Sequence, residues 1–306
     1  MIVSGGEALV DLVPAESTVD LLAPRFGGGP YNVALTAGRL GVPTAFLSRI
    51  STDRFGESLI DRLVASNVDT TLVQRGPEPT TLAVVSLDAA SSARYSFYTE
   101  GTADRLLTDP GPLPEGVTAL SLGTLGMVLE PAASAYEAML RRESARGVLT
   151  ALDPNIRADM IADPAAYRAR FASWLPFVRL LKLSVEDAEW LAGDFAVPDA
   201  VKAWLAAGVQ AVVLTRGADG LSVVTTEGEL ASAATVPVQV VDTIGAGDTV
   251  QGALLAWLTQ QDVREPATLD ASDWTQALRY AARAAAITVS RRGAEPPTAE
   301  ELAQFR

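Results

Sequence analysis

The chain has 306 residues, and neither a cysteine nor a histidine is among them. Without cysteine there is no disulfide, no thiolate nucleophile and no Cys-ligated zinc, a composition suited to a reducing cytoplasm. Without histidine, Ser-His-Asp triads and imidazole-bound metals are excluded as well. A proton acceptor is therefore expected to be a carboxylate. Basic residues are scarce: 24 Lys and Arg against 37 Asp and Glu give 24 − 37 = −13, which argues against a nucleic acid or an anionic membrane as partner. No apolar run approaches the roughly 18 residues of a membrane span. Met1 to Glu7 read as a strand, with no charged leader followed by an apolar run, so the expectation is an untargeted, cytoplasmic protein. Two nucleotide-binding patterns are missing, the G-x-x-x-x-G-K-[ST] loop and a G-x-G-x-x-G after the first strand, and with them go the main supports for a P-loop kinase or a dinucleotide-dependent dehydrogenase.

What is present is concentrated in Val241-Asp242-Thr243-Ile244-Gly245-Ala246-Gly247-Asp248. Downstream of it Val250, Ala253, Leu254, Trp257 and Leu258 recur at i, i+3, i+4, i+7 and i+8, the buried face of a helix. Gly245 to Gly247 thus stand at a helix start, where unpaired N–H groups and the positive end of the helix dipole favour an anion, and glycines let a phosphate approach the backbone. Asp248 places a carboxylate beside that cradle. An anion hole facing a general base suits transfer of a phosphoryl group to a hydroxyl. Read alone, Asp248 could equally be a helix-capping acid.

Short apolar runs alternate with helical patterns along most of the chain, predicting a mostly parallel sheet covered on both faces. Strands are expected at Ile2 to Gly6, Thr44 to Ile50, Ala119 to Leu122, Val148 to Leu152, Val178 to Leu183 and Ala211 to Thr215. Helices are expected near Tyr31 to Leu40, Gly56 to Ala65, Ala132 to Ala145 and Asp199 to Ala206, and again over Trp274 to Val289. Two stretches, about 9–26 and 81–100, break the alternation and look like paired strands. A small sheet built from both could act as a lid that keeps water from a phosphoryl donor, although a decorative or dimerisation sheet would look the same.

Smaller clusters punctuate this frame. Asp11 follows the first strand, where a carboxylate could accept hydrogen bonds from adjacent ligand hydroxyls; a solvated strand-edge acid is the alternative. Gly27-Gly28-Gly29-Pro30-Tyr31-Asn32 leads into a helix and by itself is a Gly-Pro turn. Asp153-Pro154-Asn155-Ile156-Arg157 follows an apolar strand, and Arg157 could steady a phosphate through charge-assisted bonds. Thr215-Arg216-Gly217-Ala218-Asp219-Gly220 reads as a hairpin.

Taken together, these motifs resemble the ribokinase-like (PfkB) carbohydrate kinases over nearly the whole chain. Asp242 to Asp248 resembles the C-terminal signature of that family, and Gly28 to Gly41 with Arg49 to Gly56 its N-terminal one. Gly6 to Asp11 and Asp153 to Arg157 resemble the fructokinase branch. The resemblance implies one domain over residues 1–306, a three-layer α/β sandwich with a mostly parallel central sheet and a small β-sheet lid. It implies ATP-dependent phosphorylation of a sugar hydroxymethyl, D-fructose to fructose 6-phosphate, with ribose, 2-keto-3-deoxygluconate or a nucleoside as alternative acceptors. A non-catalytic sugar- or nucleotide-binding regulator is the alternative of another class. By the same resemblance Asp248 is the base and Gly245, Ala246 and Gly247 the anion hole. Asp11, Gly28, Asn32 and Arg157 bind the substrate, while Thr215 and Gly217 lie along ATP, whose adenine is flanked by Ala281 to Gly293. Magnesium accompanies ATP near Asp187, where Ser184-Val185-Glu186-Asp187 departs from the family's Asn-x-x-Glu and leaves Glu186 as a competitor and a capped helix start as the plain reading. Asp242, Ile244 and Gly293 match positions that hold a monovalent cation such as K⁺ in some members. An exposed apolar face on the small sheet would favour a homodimer.

Overall fold

The computed structural model describes residues 1–15, 18–87 and 93–305. Its central strands are short apolar runs without polar alternation, as strands buried on both faces must be. Among the described residues nine strands form one sheet, in the order Gly228–Ala233, Leu221–Thr225, Ala211–Thr215, Leu180–Ser184, Leu149–Asp153, Ala119–Gly123, Ile2–Gly5, Thr44–Leu47 and Val68–Asp69. From Ala211–Thr215 onward in that order the strands are parallel. Leu221–Thr225 and Gly228–Ala233 continue the sheet as antiparallel neighbours.

Successive side chains of a strand point to opposite faces, and here they feed two separate cores. Val3, Leu120, Leu152, Leu181 and Val212 pack with the helices Ala132–Ala145, Pro164–Trp174, Val185–Ala192 and Val197–Ala206. Ile2, Ala119, Ala151, Leu180 and Val213 pack with Gly29–Arg39, Ala246–Gln260 and Ala271–Val289. The result is a helix–sheet–helix sandwich. Parallel register aligns Gly5 with Leu122, Gly123 with Asp153 and Ser184 with Thr215, so the carboxyl ends of these strands share the edge where open α/β sheets bind ligands.

A second sheet has the order Thr18–Gly27, Leu9–Ala15, Thr81–Leu87 and Ala93–Tyr98; of the two stretches singled out in the sequence, residues 16, 17 and 88–92 lie outside the described residues. Leu9 is paired with both Gly27 and Thr81, so this sheet springs from the ligand edge of the large one. One expected strand is broken: Thr44–Leu47 stays in the large sheet, while Arg49–Ser51 pairs with Gln74–Gly76. A two-pronged ion pair from Arg49 to Glu78 (2.8 Å) and a hydrogen bond from Gln74 N to Ser48 O (2.8 Å) draw the chain away at that point. No helix among the described residues is long and apolar enough to cross a membrane.

The helices that carry Asn32 and Asp248 cross at close range. A Cβ on Gly252 would stand 2.6 Å from the Cβ of Thr36 and 2.9 Å from the carbonyl oxygen of Val33. Gly252→Ala should therefore overpack the crossing and cost about 1–3 kcal/mol. Urea unfolding would register it as a lower midpoint at unchanged slope; a midpoint equal to the parent's would mean that the crossing has room to spare.

Candidate active site

The helix Ala246–Gln260 begins at Gly245, whose φ of 77° is open to glycine at little cost. Neither could a side chain fit there, since a Cβ would meet Ala294 Cβ at 2.6 Å. Asp248 sits in the first turn and is buried, and one of its carboxylate oxygens accepts a 2.8 Å hydrogen bond from Asn32 Nδ2. Burial raises the Asp248 pKa above the usual carboxylate range, and the nearby Asp11 adds to this; the Asn32 bond, Lys182 and Arg157 oppose it. A carboxyl so placed holds a proton more readily than an ordinary aspartate.

Asn32 lies in the first turn of Gly29–Arg39, where its own N–H is satisfied by Gly28 O (2.9 Å). Its Oδ1 is buried with no partner among the described residues, a polar atom waiting for a donor. Gly28 has φ of 117°, and a Cβ on it would meet Glu7 O at 2.5 Å. The diglycine turn is thus pressed against the end of the first strand. Asp11, Gly28, Asn32, Arg157 and Asp248 all line one cavity of about 500 Å³, together with Gly245 and Gly247. Asp11 is pushed up to about 6 by burial, which the Arg157 guanidinium partly offsets. Arg157 is held over that cavity by donating to Asn155 Oδ1 (2.7 Å) and Asn155 O (3.0 Å).

A second cleft, of about 440 Å³, opens on the other side of Gly247. Thr215 and Gly217 border it, and its walls are small and apolar: Val236, Val238, Ala282, Ala286 and Val289. Both cavities include Thr243 and Gly247 among their linings. The start of helix Ala246–Gln260 therefore stands between a polar chamber and an apolar one.

Lys182 is the residue that the sequence reading passed over. It is buried within the strand Leu180–Ser184, and its Nζ forms a 2.7 Å ion pair with Asp153 Oδ2. A Cβ on Gly247 would lie only 2.8 Å from that Nζ, so the ammonium touches the anion cradle itself. Burial opposes its charge, yet Asp153, Asp248 and Asp187 together raise its pKa, and it stays protonated. The signal in the sequence was a lone cation inside the apolar run Leu180-Leu181-Lys182-Leu183, a position that a chain fills with lysine only when a partner awaits it.

The metal candidates are differently placed. Asp187 and Ser184 form a reciprocal cap on helix Val185–Ala192, and the other oxygen of Asp187 accepts from Ile156 N (2.8 Å), tying the Asp153–Arg157 turn to the helix start. Glu186 is exposed. Asp242 gathers the other two expected positions around itself, accepting from Ile244 N (3.0 Å) and Gly293 N (2.8 Å). Among the described residues no group of three or more carboxylates is spaced to hold a metal ion unaided. Asp153 Oδ1 is nevertheless buried without a partner, a hard oxygen donor of the kind a divalent cation takes.

Comparison with known proteins agrees with this geometry. The description "pfkB family carbohydrate kinase" matches residues 1–301. A fructokinase of Rhizobium leguminosarum bv. trifolii is 41% identical over 292 residues, covering 91% of this chain and 86% of the relative. The structure of a fructokinase from Xylella fastidiosa with bound ATP superposes with a TM-score of 0.90 at 26% identity, covering 99% and 97% of the two chains. That of a Vibrio cholerae fructokinase in fructose-, ADP- and calcium-bound form does so with a TM-score of 0.85 at 25% identity, covering 99% and 98%. The expected ribokinase-like sandwich is thus the fold, and the chain belongs to the pfkB family of carbohydrate kinases.

Proposed function

We propose that this chain transfers the γ-phosphoryl group of ATP to the terminal hydroxymethyl of D-fructose, giving fructose 6-phosphate and ADP. The observation that carries the reading is the meeting of a polar cavity and an apolar cleft at Gly247, with Asp248 on the polar side. The apolar cleft suits the adenine, whose faces bury well against Ala282, Ala286 and Val289, with Thr215 and Gly217 along the ATP. The polar cavity suits the sugar. There Asp11 accepts from hydroxyls, and Asn32 both orients Asp248 and offers its unpaired Oδ1 to a further one. The diglycine turn at Gly28 lets the ring approach the backbone.

In the reaction the hydroxymethyl oxygen attacks the γ-phosphorus while its proton passes to Asp248. The new O–P bond forms as the bond to the bridging oxygen of ADP breaks, and Asp248 later releases the proton to solvent. Gly245, Ala246 and Gly247 direct the helix N-terminus at the charge that builds on the phosphoryl oxygens. Lys182 adds a fixed positive charge beside them, and its pairing with Asp153 keeps it in one position. Arg157 reaches the same cavity and steadies the substrate.

Magnesium fits this site as a companion of ATP: Asp153 and Asp187 supply oxygen donors at the edge of the cradle, and Mg²⁺ commonly takes one or two carboxylates with the rest of its shell from phosphate and water. Once bound it neutralises phosphate oxygens. Asp242, Ile244 and Gly293 are the residues that would hold a monovalent cation. The small sheet, rooted at the cavity, serves as the lid. Exposed Leu21, Leu22 and Tyr98 on it support a homodimer through that sheet, and a chain without cysteine suits the cytoplasm.

Fructose over other acceptors rests on the named relatives and on the motifs Gly6 to Asp11 and Asp153 to Arg157. Purified enzyme with magnesium-ATP should show higher kcat/KM for fructose than for ribose or 2-keto-3-deoxygluconate; a preference for either competitor would refute the sugar while leaving the phosphoryl chemistry intact. Asp248→Asn should keep the fold and the Asn32 contact yet lower kcat on the order of 10²–10⁴-fold. Near-normal turnover by that folded variant would remove Asp248 from the role of base.

Asp11 makes a pH-dependent claim. Its pKa of about 6 lies above that of a free aspartate, so the accepting carboxylate is present above pH 6 and lost as pH falls through it. The fructose KM should rise on that acid side while the ATP KM stays level. Asp11→Asn should show a high, flat fructose KM across the same range, and a parent-like bend in the variant would assign the titration to another group.

A further inference from the structure

The reaction as written makes no use of Glu7, although it is almost wholly buried at the root of the sugar cavity. It follows the first strand by two residues and precedes the strand Leu9–Ala15 by the same number. Its two carboxylate oxygens face opposite ways. One accepts from Gly29 N at 2.9 Å, in the diglycine turn; the other accepts from Gly126 N at 3.1 Å, in the short helical turn Thr124–Met127. Among the described residues no lysine or arginine forms an ion pair with it. Desolvating a carboxyl is costly, and a residue needed only to fill space here would be apolar.

The two turns that Glu7 joins form adjoining parts of the wall of the sugar chamber. Gly28, Gly29 and Asn32 come from one; Thr124 and Leu125 come from the other. Both turns have left-handed backbone, which glycine adopts freely and threonine does not. Gly28 has φ of 117°, and Thr124 is held at φ of 50°, a value uncommon for a threonine. Space between them is closed: a Cβ on Gly29 would meet Thr124 Oγ1 at 2.5 Å, and one on Gly126 would meet Gly6 Cα at 2.8 Å. Tyr136 pins the same junction from below by donating to Gly6 O (3.2 Å) and Leu47 O (3.1 Å). Only a side chain with two acceptors set a carboxylate's width apart satisfies both amides at once.

We infer that Glu7 is a positioning residue for the acceptor sugar, a carboxyl clamp between the Gly29 and Gly126 amides that sets how the diglycine turn and the Thr124 turn meet in the wall of the sugar chamber. This deepens the proposed function and rests on the sugar occupying that chamber. It places the determinant of sugar fit one layer behind the groups that touch the sugar. The nucleotide cleft has no contact with Glu7, so the clamp acts on one substrate alone.

Glu7→Gln keeps the size but sets an amide NH₂ against one of the two N–H donors, so one turn must shift. The fructose KM should rise on the order of 10–100-fold, as misplacement of a binding group by about 1 Å does, while the ATP KM stays within about twofold. A merely structural role would lower the active fraction, and hence apparent kcat, with both KM values unmoved; that outcome would overturn the clamp. Should E7Q not fold, the parent enzyme still answers by amide hydrogen exchange. Gly29 and Gly126 should exchange as slowly as amides of the large sheet, and loop-like exchange at either would falsify the inference. The two readings fail separately. Absence of fructose turnover in the parent, or an unchanged fructose KM in Asp11→Asn, counts against the sugar site; unchanged E7Q kinetics beside a responsive Asp11→Asn counts against the clamp alone.

Discussion

The hydrogen bond from Asn32 to Asp248 joins residues 216 positions apart, and the site depends on it. Each partner sits in the first turn of a helix, and both helices pack on the same face of the sheet. Their crossing is close because Gly252 offers no side chain to Thr36 and Val33. Two positive helix ends are thereby aimed at one volume, and a carboxylate is placed between them. Such a convergence favours a negative charge, at the cost of taking it out of water. It is stable here because the buried Asp248 has Asn32 for a donor and Lys182 for a countercharge.

That local balance resolves the apparent conflict between a chain of net charge −13 and a polyphosphate ligand. Long-range attraction is absent, so binding has to come from a few donors at contact distance, where a low dielectric strengthens each of them. Lys182 supplies this inside the sheet itself. Because it is paired with Asp153 at 2.7 Å, its charge is fixed in direction and costs no reordering when a phosphate arrives. An exposed lysine would lose rotamer freedom on binding. The architecture thus substitutes preorganised charge for abundant charge.

Much of this was legible in the sequence because it followed from periodicity and turn chemistry. Ala211–Thr215 and Ala132–Ala145 have the expected bounds, since each is a clean apolar pattern between breakers. The helix behind Gly-Ala-Gly announced itself by Val250, Ala253, Leu254 and Leu258, all buried, with only Trp257 on the margin. Parallel strands ending at one edge brought Asp11, Gly28, Asn32, Arg157 and Asp248 into a single cavity, as the motif order implied. What escaped was information carried by exceptions to a pattern. Lys182 interrupts an apolar strand, and a reading that averages over the strand discards a buried cation that lines the cavity beside Gly247. The helix Pro164–Trp174 escaped for a related reason: Tyr167, Phe171 and Trp174 keep helical spacing but are diluted by alanines and arginines. Asp187 could not be decided from its letters, because a capping acid and a metal-facing acid look alike; the N–H groups of Ser184 and Ile156 each donate to one of its oxygens, a cap that still leaves lone pairs on both.

Chemistry and selectivity are carried by different parts of the molecule. The proposed phosphoryl cradle is backbone and buried charge on the large sheet and its helices, which bound two cores. Asp11 belongs instead to the small sheet, which among the described residues has an apolar cluster of its own around Leu9, Ala83 and Leu125. A sheet with a separate apolar cluster can be rebuilt with little disturbance to the two cores of the large one. Under the proposed mechanism a change of sugar would therefore fall on the small sheet and the turns beneath it, while the proposed base, anion hole and lysine would serve any primary alcohol brought to them. On the main chain one junction between the two sheets is the segment from Gly5 to Leu9, which carries Glu7 between the last residue of one strand and the first of the next.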